Sequence, residues 1–467
     1  MRKRCLLLVM VFAIAVFLLS CSQTGKFQIG QTRENEGSGD NVVDAGDGDD
    51  KSISDDYDTK DSPDGDSDNA GGKNSDDAEG QNQTAEGGSR VIVDGYDITA
   101  SVTGTPLKEA YRDYFKIGVG LNGSSTSTDT VRSAAMVEII KYHFNSVTYT
   151  NLMKPSYLLD QKGSIENYKN GNPEPAVKFD TVIPGLEFCK ENGIQMRGHV
   201  LVWHNQVPDW FFREGYESDG EFVDKETMLA RMESYIRQVM EFTQNEYPGV
   251  IYAWDVVNEA VEIIDDSYET ESGFNIRTKY DGNKANLWYK VIGVEYVEKA
   301  FEYARKYAAP GVKLFYNDYN TFQPKKTESI IKLVSYLKEK GLIDGIGMQG
   351  YMNLTYPGIV NGPDSFKTAL SKFAELELEI HITELTISSD DKSEQSMKKQ
   401  AERYKEVFTV LKGMDTASGG NANITSVTVF GLMDEYLFYS NDKTYSRLFD
   451  GKLQPKPAFY SVLSVVE

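Results

Sequence analysis

Eight short apolar runs, each followed by an amphipathic stretch, recur along most of this 467-residue chain. They are FKIGVG (115–120), FNSVTY (144–149), IQMRGHV (194–200), IYAWDVV (251–257), VKLFYN (312–317), DGIGMQG (344–350), LEIHIT (378–383) and SVTVFG (426–431). Runs of this length, rich in β-branched and aromatic residues, read as strands. Between them, KETMLARMESYIRQVMEFTQ, WYKVIGVEYVEKAFEYARKY and ESIIKLVSYLKEKG space their apolar residues as helices do, and the last stops at Gly341. Strands that alternate with helices build a parallel sheet, because parallel neighbours need a crossover. Eight units over about 365 residues fit an α/β fold of the (β/α)8 barrel type. The pattern alone leaves a doubly wound open sheet as an alternative. No internal repeat is visible.

The chain before the first unit differs in kind. It opens with Arg2, Lys3 and Arg4, runs apolar from Leu6 to Leu19, and reaches Ser20-Cys21. A basic start, a short apolar core and a small residue before a cut describe an export signal. The run is too short to span a bilayer comfortably. Its end resembles a lipobox, which implies lipidation of Cys21 and a lipid anchor at the bacterial cell envelope, with the domain at the cell surface. Residues 31–90 then carry 18 acids and 5 bases among Gly, Ser and Asn. Such a segment cannot bury enough surface to offset the entropy of ordering. About 80 residues of coil would span roughly 50 Å, and like charges lengthen that. The Asp64, Asp66, Asp68 run fails as a calcium loop, since Asn69 and Ser75 stand where Gly and Glu are needed. The expected organisation is a signal over 1–20, a disordered linker over 21–102 and a catalytic barrel over 103–467.

Charge and cysteine content exclude other classes. A net charge of −22 makes nucleic acid a poor partner, because its binding rests on Lys and Arg against phosphates. Of three cysteines, Cys5 leaves with the signal and Cys21 takes lipid, so Cys189 has no disulfide partner and reads as a small buried hydrophobe.

A barrel carries its chemistry where strands end. The fourth run ends Trp254-Asp255-Val256-Val257-Asn258-Glu259 and the seventh His381-Ile382-Thr383-Glu384. Each delivers one glutamate at an apolar strand's tip, where an unpaired carboxylate is costly. Either one alone reads equally well as a capping or salt-bridged residue. Two on opposite sides suggest a catalytic pair, as glycoside hydrolysis requires. Asn258, beside the first, is placed to bond a sugar 2-hydroxyl. The third run supplies His199, Trp203, His204 and Gln206. Indole faces stack on pyranose rings and polar groups bond hydroxyls. No third ligand follows His199 and His204 at metal spacing, so no metal is expected.

RGHVLVWHNQVPDW, WDVVNEA, NDYN (Asn317 to Asn320), GIGMQG and HITEL, in that order, resemble glycoside hydrolase family 10, the endo-β-1,4-xylanases. FNSVTYTNLMKP resembles its second-strand motif. The resemblance implies a (β/α)8 barrel, a retaining mechanism without cofactor, and xylan or xylo-oligosaccharide as partner. It implies Glu259 as acid/base and Glu384 as nucleophile. Asn258, His199, Trp203, His204, Gln206 and Gln349 match active-site contacts, and Asn151 and Lys154 match glycone-side contacts. A monomer is expected.

The sequence departs from the family pattern in places. Thr150 stands for Glu, Tyr351 for His, Thr386 for Asp, and Phe430 and Phe438 for two Trp. In the family that His bonds the nucleophile and that Asp orients it, so two replacements remove one coupled pair. Tyr351, Phe430 and Phe438 are expected at the substrate, with an altered pH profile and altered subsites near the cleaved bond. A decorated xylan or related β-glycan, or a low-activity xylan-binding lipoprotein, are the alternatives.

Overall fold

The computed structural model describes residues 90–264, 267–434 and 445–467. The signal, Cys21, most of the linker and Phe438 lie outside the described residues. The eight expected strands are present: β1 (Lys116–Leu121), β2 (Ser146–Tyr149), β3 (Gln195–Trp203), β4 (Ile251–Asn258), β5 (Lys313–Asp318), β6 (Gly345–Met348), β7 (Glu379–Ser388) and β8 (Asn423–Val429). Each pairs in parallel with the next, and β8 returns to pair with β1. The sheet is therefore closed, a (β/α)8 barrel, and the open-sheet alternative falls.

The helices that follow the strands are α1 (Ala134–His143), α2 (Ile183–Asn192), α3 (Lys225–Glu246), α4 (Tyr296–Tyr307), α5 (Pro324–Glu339), α6 (Phe366–Ala374), α7 (Glu394–Met414) and α8 (Pro457–Leu463). Their ends follow local chemistry. The Asp224 carboxylate accepts from Thr227 N at the start of α3. Gly193 ends α2 in the left-handed conformation at φ 63°. On α3, Met228, Met232, Tyr235 and Val239 form one buried stripe. Cys189 on α2 is buried, as expected.

Two expectations need correction. The helical pattern of 288–307 is broken, into Leu287–Ile292 and α4, because Gly293 takes φ 93° and ends the first piece. The linker also ends earlier than residue 102. Ile92–Val93 pairs with Tyr96–Asp97, Ile98 is buried, and the Ser101 hydroxyl donates to the Leu453 carbonyl. His143 Nε2 meets Ser101 O at 2.7 Å, so this stretch packs on the barrel. Its apolar Val91, Ile92, Val93 and Ile98 were the available signal.

Strand register is interrupted at the catalytic end. From His199 to Val202, β3 advances three positions while β4 advances two, from Asp255 to Val257. On β7, Ile382 to Leu385 advances against Val427 to Val429 of β8. On β4, an extra residue lies between Asp255 and Val257 opposite Phe315 and Tyr316. Bulges of this kind bend a strand and re-aim its side chains. Here they flank His199, Glu384 and the approach to Glu259.

Candidate active site

The site sits on a buried polar floor. Arg197 of β3 grips Asp255 of β4 with both terminal nitrogens, Nη1 to Oδ2 at 3.0 Å. His199 Nδ1 meets the same Oδ2 at 2.9 Å. Arg197 Nε donates to His381 Nδ1 at 2.9 Å, and His381 stacks on Phe315 at 4.0 Å. Burial alone would raise the Asp255 carboxyl, but the Arg197 charge and the His199 bond hold it below its ordinary value. Burial, then the Arg197 charge, pushes His381 well down, so it acts as a neutral spacer.

Above this floor Glu384 lies buried on β7. Its Oε1 accepts from Asn317 Nδ2 at 3.0 Å and its Oε2 from the Tyr351 hydroxyl at 2.7 Å. Burial lifts its carboxyl above the ordinary value, and the nearby Glu259 carboxylate adds to the rise. His199, Tyr351 and Asn317 oppose it. Thr383 Oγ1 donates to Asn317 Oδ1 at 2.6 Å, which fixes the amide so that its nitrogen faces the carboxylate.

Glu259 follows β4 in the left-handed region at φ 56°, where a side chain is unfavourable. Both of its backbone groups are tied. Its N–H donates to Asn317 O at 2.9 Å, and its carbonyl accepts from Arg277 Nε at 3.1 Å. Its Oε2 accepts from Trp203 Nε1 at 2.9 Å and its Oε1 from Gln349 Nε2 at 2.8 Å. The same Gln349 nitrogen reaches Asn258 Oδ1 at 3.2 Å, which also accepts from Asn317 Nδ2 at 2.9 Å. A path of amides, Gln349–Asn258–Asn317, thus joins the two carboxylates.

The remaining expected residues surround this pair. Lys154 Nζ bonds Asn151 Oδ1 at 3.0 Å and Gln206 Oε1, and lies 4.7 Å from the Trp203 ring centroid. His204 is buried against Tyr280, ring to ring 4.8 Å, and burial with the Arg277 and Lys326 charges keeps it neutral. Phe430 meets the Tyr351 ring edge-on at 6.2 Å. Thr150 spends its hydroxyl on the Leu121 carbonyl at 3.2 Å. The structure therefore brings together Asn151, Lys154, His199, Trp203, His204, Gln206, Asn258, Glu259, Gln349, Tyr351, Glu384 and Phe430.

Asn317, Arg277, Asp255 and Trp288 join the site without having been expected there. Asn317 stands in the NDYN motif and Asp255 beside a strand-end glutamate, which were the available signals. Trp288 holds Trp203 by donating Nε1 to its carbonyl at 2.9 Å across 85 residues of chain, and nothing local announces that.

A model described as Glycosyl hydrolase family 10 matches residues 106–465. A putative endo-1,4-beta-xylanase of Caldicellulosiruptor saccharolyticus is 52% identical over 316 residues, 67% of this chain and 96% of that protein. Endo-1,4-beta-xylanase B of Butyrivibrio fibrisolvens is 44% identical over 361 residues, 76% of this chain and 52% of that protein. This chain thus spans about half of that longer relative. Among solved structures, the N-terminal modules of Clostridium thermocellum endo-1,4-beta-D-xylanase 10B, complexed with xylohexaose, superpose with a TM-score of 0.67 at 35% identity. That match covers 78% of this chain and 68% of that one.

Proposed function

The chain belongs to glycosyl hydrolase family 10, and we propose that it is a retaining endo-β-1,4-xylanase in which Glu384 is the nucleophile and Glu259 the acid/base. One observation carries this reading. Two carboxylates face each other at the open end of the barrel, bridged by Asn317, Asn258 and Gln349, and differ in surroundings. Relatives named endo-1,4-beta-xylanases support the substrate class.

In this reading Glu384 Oε attacks the anomeric carbon while Glu259 gives its proton to the departing glycosidic oxygen. A glycosyl ester on Glu384 results, and the leaving sugar departs with the proton. Glu259, now a carboxylate, takes a proton from water, the water oxygen attacks the anomeric carbon, and Glu384 is released. Asn258 faces the site between the two glutamates, where it meets a sugar hydroxyl. Lys154, Asn151 and Gln206 form a hydrogen-bonded group beside Trp203 that suits sugar hydroxyls on the glycone side.

Reducing-sugar release and product profile from xylan and arabinoxylan test the proposal, with Glu384→Ala as control. Short β-1,4-xylo-oligosaccharides, lost in the control, are expected. Retention on insoluble xylan without release would replace the enzyme by a binding protein. Thr150 turns its hydroxyl into the barrel wall, and Phe430 offers no indole donor, so this wall presents fewer fixed polar contacts to the glycan.

The sequence further supports an export signal over 1–20, a lipid on Cys21 and an acidic tether that holds the enzyme at the cell surface. Cys21→Ser is expected to move the enzyme from the membrane fraction to the medium. An unchanged distribution would remove the anchor.

A further inference from the structure

The hydrogen bond to Glu384 comes from a phenol, and a cation from a distant part of the chain stands behind that phenol. Tyr351 opens the short strand Tyr351–Asn353 and registers against Thr386 of β7. Thr386 Oγ1 donates to the Glu384 carbonyl at 3.1 Å and accepts from Arg447 Nη1 at 3.5 Å. Arg447 follows β8. Its backbone N–H donates to Asp434 Oδ1 at 2.8 Å, and its guanidinium also reaches the neighbouring Ser446 hydroxyl. A glycine makes room for it. Gly431 lies at φ 112°, and a Cβ there would stand 2.6 Å from Arg447 Nε and 2.9 Å from Asn122 Oδ1. The guanidinium is thus seated between Thr386 of β7, two residues past the nucleophile, and Gly431, which follows β8.

A neutral phenol gives a carboxylate a weaker bond than a charged donor does. A positive charge near the phenol polarises its O–H toward the carboxylate, and in a buried site that effect is weakly screened. The Arg447 charge does act on Tyr351, against the rise that burial and the Glu384 carboxylate impose on the phenol. Among the described residues, the charged or titratable groups facing Glu384 are His199 and Arg197 from β3, Glu259 after β4 and Tyr351 after β6, and those acting on Arg447 include the Asp434 carboxylate after β8 and the Lys456 ammonium that pairs with it ahead of α8.

We propose that Arg447 is a positioning residue for the reaction. Through Thr386 and Tyr351 it holds and polarises the bond to Glu384, and it favours the ionised carboxylate without touching substrate. This rests on Glu384 as the nucleophile.

The test is the pH dependence of kcat/KM on an aryl β-xylobioside for Arg447→Gln, Arg447→Leu and Arg447→Lys, with Glu384→Ala measured in parallel. Arg447→Gln keeps a donor for Thr386 but no charge. Both neutral variants are expected to lower kcat/KM about three- to tenfold and to move the acidic limb upward by about 0.5–1 pH unit. Arg447→Lys is expected to restore the limb. In a Tyr351→Phe background the Arg447→Gln shift should shrink. Lower thermal stability with an unmoved limb in Arg447→Gln would overturn the proposal and leave Arg447 a structural residue. If Arg447→Leu does not fold, the Gln and Lys pair still decides. Full activity in Glu384→Ala would instead overturn the assignment of the nucleophile.

Discussion

The indole N–H of Trp203 donates to Glu259 Oε2 at 2.9 Å, a bond between the last residue of β3 and the residue that follows β4. The two strands run in register there, with Trp203 opposite Asn258. Trp203 is itself held by Trp288 at its carbonyl and covered by Lys154 on its ring. A left-handed backbone and a braced indole together fix one rotamer of the proposed acid/base.

Trp203→Phe keeps the apolar face and removes the donor. The expected loss is about 1.5–3 kcal/mol of transition-state stabilisation, the range of a hydrogen bond to a charged group. Steady-state kinetics should show kcat/KM down by roughly ten- to a hundredfold. A change confined to KM would mean that Trp203 only binds sugar.

Tyr351→Phe deletes a hydrogen bond that favours the charged form of Glu384. Burial already places that carboxyl above its ordinary value, and losing the donor lifts it further. A protonated nucleophile cannot attack, so activity is lost from the acid side first. The acidic limb of kcat/KM is expected to move up by about one to two pH units, since a pKa unit is about 1.4 kcal/mol. An unmoved limb would remove the phenol from the mechanism.

Asp255→Ala leaves the buried Arg197 guanidinium without its carboxylate. Breaking a buried pair by removing one partner costs about 3–5 kcal/mol. Denaturant unfolding should report that loss at neutral pH. Asp255 is held below its ordinary value, so its contribution is present above the unfolded aspartate pKa and fades as pH falls through the folded value. The stability gap between wild type and variant should therefore narrow in acid.

Glu259→Ala separates the two steps. With a good aryl leaving group that needs no proton, formation of the glycosyl-enzyme should survive while its hydrolysis slows. Added azide, which needs no general base, should restore turnover and give a β-glycosyl azide. The absence of rescue would take the acid/base role from Glu259.

Much of this site could be read in the residues, because barrel chemistry sits at strand ends and strand ends show in local patterns. Glu259 and Glu384 each follow an apolar run; Glu259 stands just past the end of β4 as expected, whereas Glu384 lies within β7, which continues to Ser388 because Tyr351–Asn353 pairs with its later half. The supporting residues were less visible, since their partners are far off in sequence. Arg197 meets Asp255 across 58 residues and His381 across 184, and Arg447 meets Thr386 across 61. No periodicity encodes such pairs. The break at Gly293 was hidden because apolar spacing continued through it. The early start of the fold was hidden because Ile98 follows a long acidic stretch that dominates its composition.

The central claim is double displacement at Glu384 with Glu259 as its partner, and the anomer formed first on xylo-oligosaccharide cleavage tests it most directly. Proton NMR during early turnover should show the β-anomer appearing first and the α-anomer only later, by mutarotation. An α-anomer formed first would contradict the account, because it requires water rather than Glu384 to attack the anomeric carbon.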